Sequence, residues 1–153
     1  MQNTQLAIAI PTFERAEIVD ASVRSLISEI KDYSIPIYIS DNSIDNKTAT
    51  VINELKKQYE FIYYYKNRVD LGHDKNSFYV VQLPESEYVW LYGDAFLLEE
   101  GAIKNLFHII ENHKPKIIAV NAVNRNLDKE SRLYTDCNAV LDDLGWHTTL
   151  TGA

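Results

Sequence analysis

Short apolar runs that alternate with helix-period stretches govern what this chain can fold into. Residues 6–10 form an apolar run closed by Pro11, the pattern of a strand buried on both faces. From about residue 16 to residue 30 the period changes. Val19, Val23, Leu26 and Ile30 recur at i, i+4, i+7 and i+11, one face of a helix. Residues 35–40 read as a second strand, with Pro36 near the start, where proline is tolerated. The turn residues of DNSIDN follow, Asp45 or Asn46 supplies a cap, and the next helix buries Thr48, Ile52, Leu55 and Tyr59. Residues 61–66 make a third strand, 74–83 a short helix, and 88–92 a fourth strand ended by Gly93. Glu99 and Glu100 begin a further helix, acids at its positive end, with Ile103, Leu106, Phe107 and Ile110 facing inward. Residues 116–123 read as a fifth strand, and beyond Asn124 the pattern weakens.

Strand alternating with helix predicts an α/β fold: a mostly parallel, doubly wound sheet with helices on both faces. The 153 residues fit a single domain, 1–153, without internal repeat or low-complexity tract. Sheets of this type bind ligands outside the carboxyl ends of their strands. That directs attention to PTFER, SDNSIDN, KNRVDLGHDKN and YGDAF, which are also the most polar and turn-rich parts of the chain.

A formal net charge of −7 argues against a broad electrostatic hold on nucleic acid or anionic lipid. An anionic small ligand needs a local cation, a helix N-terminus or a metal. No stretch approaches the roughly 20 apolar residues of a membrane span, and MQNTQLAIAIPTFER is not a secretory signal. The lone Cys137 makes no internal disulfide, which points to a reducing compartment. The five glycines form neither G-x-G-x-x-G nor a P-loop, disfavouring dinucleotide enzymes and P-loop phosphotransferases. No pair of the four histidines has a persuasive metal-ligand spacing. Trp90 and the tyrosines at 63, 64, 65, 88 and 92 read as strand core rather than sugar-stacking platforms.

Four segments in register resemble the family 2 glycosyltransferases of the GT-A fold. IAIPTFERAEIVDASVRSL is similar to their opening strand, loop and helix, and YISDNSIDNKTATVI to their second strand with its D-x-S-x-D turn. YKNRVDLGHDKN resembles their N-x-x-x-x-G…N segment, and YVWLYGDAFLLEEGAI stands where they carry D-x-D. The likeness runs from about Ala7 to Ile103, and LGWHTTLTGA resembles an acceptor-side segment with lower specificity. It implies a nucleotide pocket from Pro11, Thr12, Glu14 and Arg15, a base or ribose contact from Asp41, and Asn42 beside it. It also implies a nucleotide- and sugar-facing wall from Asn67, Gly72 and Asn76, and places Gly93 and Asp94 at the D-x-D. The implied donor is a nucleotide-diphosphate sugar, foremost a UDP-sugar, and the implied acceptor a saccharide or lipid-linked hydroxyl. The implied place is the cytoplasm, free or peripheral at the inner face of the membrane.

The chain departs from that family at the D-x-D. Asp94 matches its first acid and the implied ligand of a divalent metal, Mg or Mn, but Ala95 and Phe96 stand where a second acid is expected. Where no metal binds, Arg15, Arg68 and Lys75 are the cations near the ligand-facing loops. The inverting reaction of the family needs a general base downstream of the D-x-D. That base is expected beyond residue 153, so the chain is expected to be the donor-binding part of an inverting glycosyltransferase, truncated before the acceptor region and inactive by itself. The alternatives are a non-catalytic nucleotide-sugar-binding module and, ranked lower, a nucleotidyltransferase, whose glycine- and arginine-rich first loop PTFER lacks.

Overall fold

Residues 6–12 form the first strand, β1 (Leu6–Thr12), which runs through Pro11 instead of stopping at it. The correction has a geometric cause. Ile8 N–H donates to the Pro36 carbonyl at 2.9 Å and the Thr12 carbonyl accepts from Asn42 N–H at 3.0 Å, so even positions of β1 face the second strand. The Ala9 carbonyl accepts from Tyr92 N–H at 2.9 Å on the other side, where pairing ends at Ala9 opposite Leu91. Pro11 therefore faces the side whose partner has already finished, and its missing N–H costs no ladder bond.

The computed structural model describes residues 5–120, 132–136, 138, 139 and 142. After β1 come α1 (Ala16–Ile30), a 3₁₀ turn (Lys31–Tyr33), β2 (Ile37–Asp41), α2 (Lys47–Lys56), β3 (Ile62–Lys66), α3 (His73–Val80), β4 (Tyr88–Leu91) and α4 (Ala102–His113). The strands form one parallel sheet in the order β3-β2-β1-β4. The chain winds from β1 to β3 in one direction and then crosses back to place β4 on the far side of β1. Helix α1 packs against α2, α3 packs on β1 and β2, and the right-handed rule for parallel crossovers assigns α3 to the face opposite α1 and α2. Strand order reverses between β1 and β4, at the sheet's switch point.

Leu6 to Ile10 are buried on both faces of the central strand, and Val19, Val23, Leu26 and Ile30 of α1 are wholly covered. Thr48, Ile52, Leu55 and Tyr59 are buried as their spacing predicts, and so are Ile103, Leu106, Phe107 and Ile110 of α4. Asp45 Oδ1 accepts from Lys47 N–H at 3.0 Å, while Asn46 at the N-cap makes no side-chain bond. The chain separates into two compact units, Met1–Phe107 and His108–Ala153, and the sheet lies in the first. No described helix is long and apolar enough to cross a membrane.

Two sequence expectations fail here. Described residues 116–120 carry no strand, and Ile117 and Val120 are exposed, so this apolar run meets neither a partner strand nor a core. Residues 121–123 lie outside the described residues. Among the aromatic residues read as strand core, only Tyr92 is wholly buried, and Tyr65 is exposed. Tyr65 and Tyr63 stack on Tyr38, with ring centroids 6.5 and 4.8 Å away. These rings lie at the β3 edge of the described sheet, where one flank has no further strand to cover it.

Candidate functional site at the sheet switch point

The end of β1 and the segment after β4 are neighbours because the strands are paired, and this brings Asp94 to Thr12. Thr12 Oγ1 donates to Asp94 Oδ2 at 2.9 Å, and Arg15 Nη1 donates to Asp94 Oδ1 at 3.3 Å. The Asp94 side chain is 12% exposed and that of Arg15 is 54% exposed. A pair so open to water contributes about 0–1 kcal/mol. The guanidinium is therefore held at the cleft without being locked there.

The backbone between β1 and α1 aims Arg15. Glu14 adopts a left-handed conformation at φ 51°, which costs an L-residue about 1–2 kcal/mol. Its N–H donates to Ser43 Oγ at 2.6 Å, a contact that ties the loop after β1 to the loop after β2. Arg15 follows as the N-cap of α1, whose first turn receives no side-chain cap. The exposed Glu14 side chain borders a shallow polar depression lined also by Ala16, Asp45 and Lys47.

A second cluster lies at the ends of β2 and β3. Asp41 is wholly buried. Its Oδ1 accepts from Ser43 N–H at 2.8 Å, and its Oδ2 accepts from the Tyr64 hydroxyl at 2.6 Å and from Lys66 Nζ at 3.4 Å. Burial, and then the bond to Asp41, pushes the Tyr64 hydroxyl well above the usual tyrosine range. Lys66 also donates to the Asp45 carbonyl. In this arrangement Asp41 organises the loop 42–45 from beneath.

Asn67, Asn76 and Asn42 form a shared amide network. Asn67 Nδ2 donates to Asn42 Oδ1 at 2.7 Å, Ser40 Oγ at 2.9 Å and Asn76 Oδ1 at 3.1 Å. Asn76 Oδ1 also accepts from Ser40 Oγ at 2.6 Å, and its Nδ2 donates to the carbonyls of Ser40 at 3.1 Å and Thr12 at 3.4 Å. Asn76 is buried and its amide is fully used by the protein, so it fastens α3 to the ends of β1 and β2. Asn42 Nδ2 donates to Asp70 Oδ1 at 2.8 Å, and the same oxygen accepts from Gly72 N–H at 2.8 Å. Gly72, at φ 75° and ψ 164°, has open space where a Cβ would sit.

The residues named from the sequence thus fall into two groups joined through the Thr12 carbonyl. Pro11, Thr12, Arg15, Gly93 and Asp94 gather at the switch point, with Glu14 on the connecting loop. Asp41, Asn42, Asn67, Gly72 and Asn76 gather beside them. Arg68 and Lys75 are exposed, and neither contacts Asp94. Ser43, Lys66 and Asp70 are not among the residues named from the sequence, and Tyr64 reads there as strand core. Asp70 had a signal, since D-x-G is a side-chain turn closing on the glycine N–H. Tyr64 and Lys66 had a weaker one: period two on a strand puts them on one face.

The donor set at Asp94 does not fit a resident divalent metal. Among the described residues, no group of three or more His, Cys, Asp or Glu side chains gathers. Both Asp94 oxygens are already engaged, by Thr12 and Arg15. Ala95 has no donor, and Phe96 turns its ring back on the turn, edge-on to Tyr92 with centroids 5.8 Å apart. A Cβ at Gly93 would come within 2.9 Å of that ring, so Gly93 and Phe96 pack as one unit. Ser22 Oγ donates to the Phe96 carbonyl at 2.7 Å and anchors the turn to α1.

The fold has known parallels. The structure superposes on S. aureus TarS with a TM-score of 0.68 at 16% identity, covering 82% of this chain and 23% of that one. The S. aureus TarS 1-349 complex with UDP-GlcNAc gives 0.64 at 15%, covering 72% and 32%. The mannosyltransferase PcManGT from Pyrobaculum calidifontis, in complex with GDP-Man and Mn2+, gives 0.62 at 12%, covering 74% and 34%. The sheet is thus that of GT-A glycosyltransferases. In sequence, 100 residues are 33% identical to abequosyltransferase RfbV of Salmonella typhimurium, which is 64% of this chain and 30% of the relative. The chain therefore spans about a third of the length of that relative. The model for Glycosyl transferase family 2 matches residues 7–149, nearly the whole chain. On that match the chain belongs to glycosyl transferase family 2.

Proposed function

We propose that this chain is the donor-binding part of an inverting glycosyltransferase and that it holds a nucleotide-diphosphate sugar over the switch point. The observation that carries this reading is the convergence of Thr12, Arg15 and Asp94 at the carboxyl ends of β1 and β4. A cation beside a partly buried carboxylate can receive a diphosphate and orient a sugar hydroxyl at one point. The loop 42–45 and the loop ending at Gly72 flank that point and supply the nucleotide wall. The solved parallels support the donor class, since TarS 1-349 was captured with UDP-GlcNAc and PcManGT with GDP-Man. The reaction places a saccharide or lipid-linked hydroxyl opposite the leaving diphosphate, and displacement inverts the anomeric carbon. A base must take the acceptor proton. Asp136 reads as a capping acid, its Oδ1 accepting from the N–H groups of Asn138 and Ala139. The reading puts the chain in the cytoplasm, in keeping with the lone Cys137.

Calorimetric titration of the 153-residue chain with UDP, GDP and CDP tests the donor reading. One of the three binds saturably, and its sugar conjugate binds at least as well. Absence of binding to all three diphosphates would overturn it. A second reading, a nucleotide-sugar-binding module without transfer, is favoured by Ala95 and Phe96 in place of the second acid. A full-length protein that binds donor but yields no transfer product would select it.

A further inference from the structure

We infer that in this chain the Arg15 guanidinium, and not a divalent metal ion, bridges Asp94 and the donor's diphosphate. The inference rests on the donor-binding reading above. A metal held by Asp94 would link that carboxylate to the diphosphate and neutralise its charge. Arg15 has the same connectivity available. One nitrogen, Nη1, holds Asp94 at 3.3 Å, and the remaining N–H groups of the planar fork stay open for a phosphate pair. Its side chain is more than half exposed, so the fork rotates toward an incoming anion without leaving a buried charge behind.

The surroundings favour Arg15 over any other cation. Lys66 is committed to Asp41 and the Asp45 carbonyl at the far side of the loop. Arg15 alone among the described cations touches Asp94. The left-handed Glu14, pinned through its N–H to Ser43, fixes where the arginine starts. The uncapped first turn of α1 begins at the next residue and adds its own positive end. A metal ion, by contrast, would find Asp94 as the single carboxylate of this turn and would share it with Thr12 and Arg15, because Ala95 contributes a methyl group and Phe96 is turned into the packing around Gly93.

The experiment is titration of the 153-residue chain with the nucleoside diphosphate that binds it, in EDTA and again in excess Mn2+. The expected result is the same affinity in both. Arg15→Ala weakens the diphosphate about tenfold, the loss of one charge-assisted contact, and leaves affinity for the parent nucleoside unchanged. Arg15→Lys keeps the charge, loses the fork and recovers part of that affinity. The arginine is exposed, so the urea midpoints of both variants match the parent and report that the fold is intact. Binding that appears only with Mn2+ overturns the inference and leaves the donor reading standing. So does binding in EDTA that Arg15→Ala fails to weaken. Diphosphates that bind in neither condition overturn both.

Discussion

Gly72 stands at φ 75° and ψ 164°, a backbone region that a side chain at Cα all but forbids. Nothing lies within 4 Å of where its Cβ would be, so the constraint is conformational and not one of space. The conformation matters because Gly72 N–H closes the turn on Asp70, and Asp70 in turn holds Asn42 over the loop after β2. Gly72→Ala is expected to cost about 1–3 kcal/mol, the range for a residue held in such a region, read as a lower urea midpoint. It is also expected to weaken nucleotide binding, since relaxing the turn moves Asp70 and releases Asn42. An alanine variant with the parent's midpoint would show that the turn at Gly72 carries no strain. The amide network makes a related point about what residue type reveals. Asn67 and Asn76 were named from the sequence as a wall facing the ligand; in the structure the Asn67 Nδ2 and both amide atoms of Asn76 also bond within the protein, to groups of β1, β2, α3 and the loop after β2. A sequence shows that an asparagine is near a site. Whether its amide meets a ligand or another amide depends on partners far along the chain.

Helix α1 links fold to site, and at the scale of elements it was the most legible part of the sequence. Its ends, Ala16 and Ile30, and its buried face all follow from the 3.6-residue period. The helix carries Arg15 at its N-cap, Ser22 against the turn that presents Asp94, and Glu29 accepting from Gly101 N–H at 3.2 Å ahead of α4. Loss of its packing should therefore be felt both in stability and at the cleft. Leu26→Ala, at a wholly buried position, is expected to destabilise by about 2–5 kcal/mol. Ile18→Ala, on the same helix but 45% exposed, is expected to stay within about 0.5 kcal/mol of the parent. Equal effects of the two substitutions in chemical denaturation would mean that α1 is not seated as its stripe implies. The strands were less legible at their ends. The reach of β1 through Pro11 depends on which neighbour each residue faces, and that is a property of pairing register, absent from any local pattern. The apolar run at 116–120 had the composition of a strand but not its partner, and composition alone does not supply one.

For the whole molecule, alkaline pH is the condition that separates buried chemistry from surface charge. Three tyrosine hydroxyls in the first unit, those of Tyr59, Tyr64 and Tyr92, are pushed up, chiefly by burial, and Tyr92 reaches about 12. Tyr59 donates to the Ile35 carbonyl at 2.7 Å and Tyr64 to Asp41, so both are neutral donors with fixed acceptors. A group whose folded value lies above its unfolded value of about 10 leaves stability flat below that pH. As pH rises past about 10 the unfolded chain releases protons that the folded one retains, and stability falls. Each such tyrosine steepens the loss by up to about 1.4 kcal/mol per pH unit, less for the more solvent-accessible Tyr64. The net charge of −7 at pH 7 grows more negative over the same range, and that repulsion also destabilises, but salt screens it. Tyr92 distinguishes the two causes. Its hydroxyl is buried with no hydrogen-bond partner among the described residues, and the nearby Ser22 hydroxyl is given to the Phe96 carbonyl. Tyr92→Phe is therefore expected to raise stability at pH 7 by about 1 kcal/mol, because the unpaired hydroxyl's desolvation cost disappears. The same variant should lose stability less steeply between pH 10 and pH 12 in high salt, the window between the usual tyrosine value of about 10 and the Tyr92 value of about 12. Urea unfolding across that range decides it: a variant with the parent's slope would show that the buried hydroxyl beside the turn that presents Asp94 makes no contribution to the alkaline loss.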